Sequence, residues 1–122
     1  MHKNQQLGKY GEDRAADYFK TQGHEIVARN WRCGEGEIDL ITFKAGRFVF
    51  TEVKTRSGNG YGHPFEAITA DKVRRMRRLV AIWCEQREKS GQSVLGKKVR
   101  LDAISVLVTN GRVAIEHLKQ VY

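Results

Sequence analysis

A chain of 122 residues has room for one domain with a real hydrophobic core and too little for two. Its 40% hydrophobic and 30% charged residues exclude the low-hydrophobicity composition of a disordered chain. Twenty-two Lys and Arg against 14 Asp and Glu leave a net charge of +8, which favours polyanionic partners, nucleic acid ahead of an anionic membrane.

The polar start, Met1 to Leu7, has no signal-peptide core, and no stretch approaches the ~18 apolar residues of a membrane span, so neither secretion nor membrane insertion is expected. Cys33 and Cys84 lie far apart, in no CxxC or Cys/His ligand spacing. That argues against a zinc site or a disulfide framework and fits a reduced, cytoplasmic protein.

Residues 6–22 predict a helix that stops at Gly23, because Gly8, Glu12, Ala15, Ala16 and Phe19 recur at three- and four-residue spacing. Lys9, Asp13, Asp17 and Lys20 make the opposite, wet side. Glu12 thus stands in the apolar stripe, a costly place for a carboxylate without a partner, the plain alternative being a helix-surface acid paired with Arg14 or Lys9. Three strands follow, His24 to Trp31, Glu37 to Phe43 and Arg47 to Thr55, the last two joined through the short Lys44-Ala45-Gly46 turn of an antiparallel hairpin. The glycines and the proline of Ser57 to Pro64 predict a mobile loop that can act as a lid. A second helix is expected over Ala70 to Lys89, with Val73, Met76, Val80, Trp83 and Cys84 on its apolar face. Lys98 to Val108 and Arg112 to Leu118 complete the chain as a hairpin turned by Asn110-Gly111. The order predicts a single α/β domain, residues 1–122, with a central mixed sheet flanked by helices.

Alternate side chains of a strand share a face, so Glu37 and Asp39 are expected to project together, with Ile38 and Leu40 pointing the other way. Glu52 and Lys54 share a face in the next strand, and pairing across the turn lets Asp39 and Glu52 approach. For Glu52 and Lys54 the plain alternative is a solvated cross-strand ion pair. Phe48 and Phe50 on the same face speak for burial instead. Clustered buried carboxylates repel and lose hydration unless a cation compensates. All-oxygen donors suit Mg²⁺ or Mn²⁺, and such an ion with a lysine beside it is the equipment of phosphodiester hydrolysis. Glu37 is open between a metal-shell residue, a partner for a backbone amide and an exposed acid.

Asp39 followed by Glu52-Val53-Lys54 resembles the PD-(D/E)xK motif of restriction-type nucleases, and Glu12 resembles the additional acid of archaeal Holliday-junction resolvases. The wider pattern is Gly8-x-x-Gly11-Glu12, Asn30-Trp31-Arg32, Gly36 to Ile41, Glu52 to Arg56 and Arg100-Leu101-Asp102. It is similar to the bacterial YraN-like family over nearly the whole chain. The resemblance implies a restriction endonuclease-like core, with Asp39 and Glu52 as metal ligands, Lys54 as the catalytic lysine and Glu12 as an accessory ligand or water-orienting group. Ile38 stands where the motif's name has proline.

Lys72, Arg74, Arg75, Arg77 and Arg78 are either the wet side of an amphipathic helix or phosphate contacts, the latter favoured by arginine's fork and by sparse acidic neighbours. Arg56, just after Lys54, is either a further phosphate contact or an exposed strand-end charge, and Tyr61 and His63 either stack on a base or meet phosphate, or simply pack within their loop. Trp31 and Trp83 are assigned to the core, while His2, His24 and His117 have no ligand constellation. The expected function is a metal-dependent endonuclease acting on DNA, with RNA or a binding module without turnover as alternatives. Small nucleases of this architecture often work as homodimers, an expectation by analogy.

Overall fold

The computed structural model describes residues 2–58 and 69–120, with side chains from residue 5 onward. In chain order the elements are α1 (His2–Thr21), β1 (Glu25–Cys33), β2 (Gly36–Lys44), β3 (Arg47–Ser57), α2 (Ala70–Lys89), β4 (Lys98–Thr109) and β5 (Arg112–Leu118). The predicted glycine loop lies outside the described residues from position 59 onward, and Tyr61 and His63 with it. Neither α1 nor α2 is long and apolar enough to cross a membrane.

The helix ends follow from local chemistry. At the end of α1 the His24 N–H reaches back to the Phe19 carbonyl and the Gly23 N–H to that of Lys20. Gly23 adopts φ +88°, which is the conformation this closing motif requires. α2 begins at Thr69, whose hydroxyl accepts the Lys72 N–H at 3.2 Å and satisfies one of the helix's orphan donors.

The described strands form one sheet in the order β1-β2-β3-β4-β5. β1–β2, β2–β3 and β4–β5 are antiparallel hairpins with two-residue turns, and the last two turn on residue pairs with two positive φ angles, Ala45-Gly46 and Asn110-Gly111. β3 and β4 run parallel from Arg47↔Lys98 to Ser57↔Val108, so α2 is the crossover between them.

The pleat of β3 divides the core. Phe48 and Phe50 pack with Met76, Leu79, Val80 and Trp83 of α2, while Val49 packs with Ala15, Ala16 and Phe19 of α1. The two helices therefore cover opposite faces of the sheet, the flanked mixed sheet that the element order predicts. Phe19, Phe50, Leu40 and Ile41 are fully buried, each contributing on the order of 1.5–3 kcal/mol over exposure. α1 lies so close to β3 that a Cβ on Gly11 would overlap the side chain of Thr55, so only glycine permits this approach.

Candidate active site

β2 and β3 pair from Lys44↔Arg47 to Leu40↔Thr51. At the next level the Asp39 side chain enters instead, its Oδ2 accepting the Val53 N–H at 2.7 Å. Beyond this point β2 stays with β1 as far as Cys33↔Gly36, and β3 stays with β4. The sheet therefore parts next to Asp39 and Glu52. The strand faces also change here. Ile38 belongs to the core under α2 and Leu40 to the core under α1, although residues two apart in a regular strand share a face. The expectation that Ile38 and Leu40 point the same way is thus corrected. Between the Arg29↔Leu40 and Trp31↔Ile38 pairs stands Asn30 at φ +51°, a conformation asparagine tolerates, and it shifts the alternation of β1 at the level of Asp39.

A cleft of about 320 Å³ opens between the parted strands and α2. Glu35, Glu37, Asp39 and Glu52 line it on the sheet side, and Lys72 and Arg75 come from α2. Burial pushes the Asp39 carboxyl up to about 6 against the restraining Val53 N–H, and the charges of Glu12, Glu52 and Glu37 raise it further. Glu52 Oε1 forms an ion pair with the Lys72 ammonium. Glu52 Oε2 is buried and receives no hydrogen bond among the described residues.

Glu12 stands on α1 and does not line the cleft. Asn30 Nδ2 donates to its Oε1 at 3.2 Å, and its charge is felt at Asp39. Lys54 shares the Glu52 face of β3 by alternation but is exposed and does not line the cleft. Arg56 is half-buried beside Leu107 of β4. The α2 cations divide. Lys72 and Arg75 line the cleft, whereas Arg77 borders an apolar groove with Val80, Val99 and Leu101. Arg74 pairs with Asp71, and Arg78 Nε donates to Glu35 Oε1 at 2.5 Å. The expectation of sparse acidic neighbours along this helix is therefore corrected, since Asp71, Glu35 and Glu52 each hold one of its cations.

Sequence reasoning missed a second polar centre. Asp102 is fully buried and accepts Arg100 Nε and Nη2 at 2.8 and 2.9 Å and the Gln120 N–H at 3.2 Å. His117 Nε2 lies 2.6 Å from its Oδ2, and Tyr18 OH lies 2.9 Å from His117 Nδ1. Burial raises the Asp102 carboxyl, but the hydrogen bonds of His117 and Arg100, with the guanidinium charge, outweigh it and hold the group below its ordinary value. The only signal in the chain was Arg100-Leu101-Asp102, whose first and third residues share a strand face.

Among the described residues no three His, Cys, Asp or Glu side chains form a ready-made metal cage. Asp39 and Glu52 are instead a carboxylate pair, with an acceptor oxygen buried without a donor and with Lys72 supplying the compensating charge. That donor set fits a hard cation that keeps water ligands and takes only one or two carboxylates, as Mg²⁺ does.

Comparison with known proteins finds relatives of the chain. The family described as "Uncharacterised protein family UPF0102" matches residues 11–106, which include Glu12, Asp39, Glu52, Lys54 and Asp102. The chain is similar to a UPF0102 protein of Nocardia farcinica, 47% identical over 119 residues, covering 97% of this chain and 90% of the relative. One from Clavibacter michiganensis is 46% identical over 112 residues, 91% of this chain and 90% of the relative. One from Rhodococcus opacus is 41% identical over the full length of both.

Proposed function

The chain belongs to the uncharacterised protein family UPF0102, and we propose that it is a metal-dependent endonuclease of the PD-(D/E)xK superfamily, hydrolysing phosphodiester bonds in DNA, with branched or damaged structures as the candidate substrates. The observation that carries this reading is the Asp39–Glu52 pair at the parting of β2 and β3, where one carboxylate is held far above its usual acidity range and the other has a buried oxygen without a donor. Such a pair is costly to a fold and suits a divalent cation.

In this reading Asp39 and Glu52 hold Mg²⁺ or Mn²⁺, with Glu12 as accessory ligand or water-orienting group. When bound, the ion supplies Lewis acidity toward a phosphoryl oxygen and lowers the pKa of an attacking water. The Val53 N–H fixes the direction of the Asp39 carboxylate. Lys54 orients the water or neutralises charge developing on the phosphate. Lys72 and Arg75 receive the phosphate from the α2 wall of the cleft, Lys72 giving up Glu52 to the cation and turning to the phosphate. Arg56, Arg74, Arg77 and Arg78 extend the cationic surface along the strand and β-facing helix, where contact with backbone phosphates releases condensed counterions. No base-reading motif is present in the sequence, so recognition is by shape and backbone.

The test is a cleavage panel with Mg²⁺ and Mn²⁺ on single-stranded, duplex, flapped and four-way DNA and on RNA, with Glu52→Ala as control. Metal-dependent cuts lost in Glu52→Ala support the enzyme, and their distribution names the substrate. A second reading, a nucleic-acid-binding domain without turnover, is favoured by one contact, the Lys72 ammonium already on Glu52. Tight DNA binding with no cleavage anywhere on the panel selects it.

A further inference from the structure

Away from the cleft, a pocket of about 260 Å³ sits at the start of β3, lined by His24, Lys44, Ala45, Arg47, Val49, Arg100 and Lys119. Its polar groups come from the α1–β1 junction, β2, β3, β4 and the segment after β5, and none of the lining residues is an acid. Arg47 and Glu52 are five positions apart on one strand, roughly 16 Å at ~3.3 Å per residue. Val49 of this pocket also faces α1, whereas Glu52 lies on the α2 face.

We propose that this pocket is a binding site for a phosphate group. Two of its cations are pre-positioned. Lys44 Nζ donates to the Gln22 carbonyl at 2.6 Å, and Arg100 is held by both oxygens of Asp102. Neither Arg47 nor Lys119 forms an ion pair with a described carboxylate, in contrast to Lys72, Arg74 and Arg78 of α2, each of which does. His24 is fixed by Thr42 Oγ1, 2.8 Å from its Nδ1, and by an edge-on contact with Phe19, which leaves Nε2 as the ring nitrogen available to a ligand. The imidazole is driven down to about 4, first by burial and then by the charges of Lys44 and Arg100, against the opposing charge of Asp102. Lys97 and Lys98 continue the same sign at this end of the sheet, where Arg47 pairs with Lys98. Asp102 offsets only Arg100, so the converging cations remain in excess and are stabilised by an anion, and the Arg47 fork with two ammonium groups suits the oxygens of phosphate. The volume falls below the ~300–1,000 Å³ of ordinary small-molecule pockets, in keeping with a compact anionic group.

The experiment is a ¹H–¹⁵N titration of the full chain with inorganic phosphate, against sodium chloride at matched ionic strength and without divalent metal. Its outcome is independent of the endonuclease reading. Phosphate is expected to shift the His24 ring and the Lys44, Arg47 and Lys119 amides saturably, with chloride leaving them in place. The Arg47→Gln/Lys119→Gln variant should weaken the apparent affinity by about tenfold or more, and Lys9→Gln, on the exposed side of α1, should leave it unchanged. The same unsaturated drift in both salts, or an unaltered affinity in the folded double variant, overturns the proposal. A 5′-phosphorylated oligonucleotide that displaces inorganic phosphate at these resonances assigns the group to a nucleic-acid strand. Failure to displace it, with saturable inorganic phosphate binding, assigns it to a small phosphorylated molecule.

Discussion

Asp39 occupies the place of a ladder hydrogen bond, its Oδ2 taking the Val53 N–H at 2.7 Å where β2 would otherwise continue along β3. One side chain thus ends the strand pairing, satisfies the backbone group left behind and brings a carboxylate beside Glu52. The cost falls on its ionisation, because burial and the charges of Glu12, Glu52 and Glu37 raise the group to about 6.

That shift predicts a pH dependence. A carboxyl whose folded pKa exceeds its ordinary 3.8 binds more protons in the folded than in the unfolded state between the two values. Its contribution to stability is therefore highest below pH 4 and declines as pH rises through about 6, by at most roughly 3 kcal/mol for a shift of this size. Urea unfolding of the metal-free protein between pH 4 and 7 should show this decline. Asp39→Asn, which keeps an acceptor for Val53, should flatten it, and Mn²⁺ at pH 7 should restore stability to the wild type only.

Lys72 is predicted to compete with the cation for Glu52. The pair is partly exposed, with side-chain exposures of 31% and 23%, so its strength is on the order of 1 kcal/mol. Lys72→Ala should accordingly tighten Mn²⁺ binding by about fivefold in calorimetric titration. Weaker or unchanged binding would place Lys72 outside the cation's competitors.

Much of this site was legible in the chain because its signals are local. Glu37 to Ile41 and Phe48 to Lys54 alternate as strands, Ala70 to Lys89 repeats at helical spacing, and the carboxylates stand at fixed positions within those patterns. The change of face at Asn30 and Asp39 was not legible, since it depends on a positive φ that asparagine permits without requiring. Nor were the contacts of α2. Whether Arg78 meets solvent or Glu35 is decided by where the crossover sets the helix down, and periodicity cannot report it. His117 looked idle for the same reason, because its partners Asp102 and Tyr18 come from β4 and α1.

The close approach of α1 to β3 predicts that Gly11→Ala destabilises the fold by about 1–3 kcal/mol, the usual cost of forcing a methyl into a packed contact. A lower urea midpoint at unchanged slope would report it. Thr55→Gly should recover part of the loss in the double variant, whereas simple additivity of the two single changes would contradict the contact.

Asp102 holds Arg100 and His117 in a buried network, so Asp102→Ala should cost about 3–5 kcal/mol by leaving the guanidinium without its counter-charge. Because the folded carboxyl is more acidic than the unfolded one, its contribution is present above pH 4 and is lost as pH falls through the depressed value. Unfolding curves of wild type and Asp102→Asn should therefore converge on acidification below pH 4. Parallel curves would remove Asp102 from the acid sensitivity of the fold.

The central claim is that the Asp39–Glu52 pair holds a cation while Lys54 serves the chemistry, and the most direct measurement is Mn²⁺ titration beside single-turnover cleavage for wild type, Glu52→Ala and Lys54→Ala. Removing a ligand and removing an ammonium should have different consequences. The account predicts that Glu52→Ala loses both Mn²⁺ binding and cleavage, and that Lys54→Ala retains Mn²⁺ and nucleic-acid binding but cuts no substrate. Wild-type Mn²⁺ affinity in Glu52→Ala, or wild-type cleavage by Lys54→Ala, would contradict it.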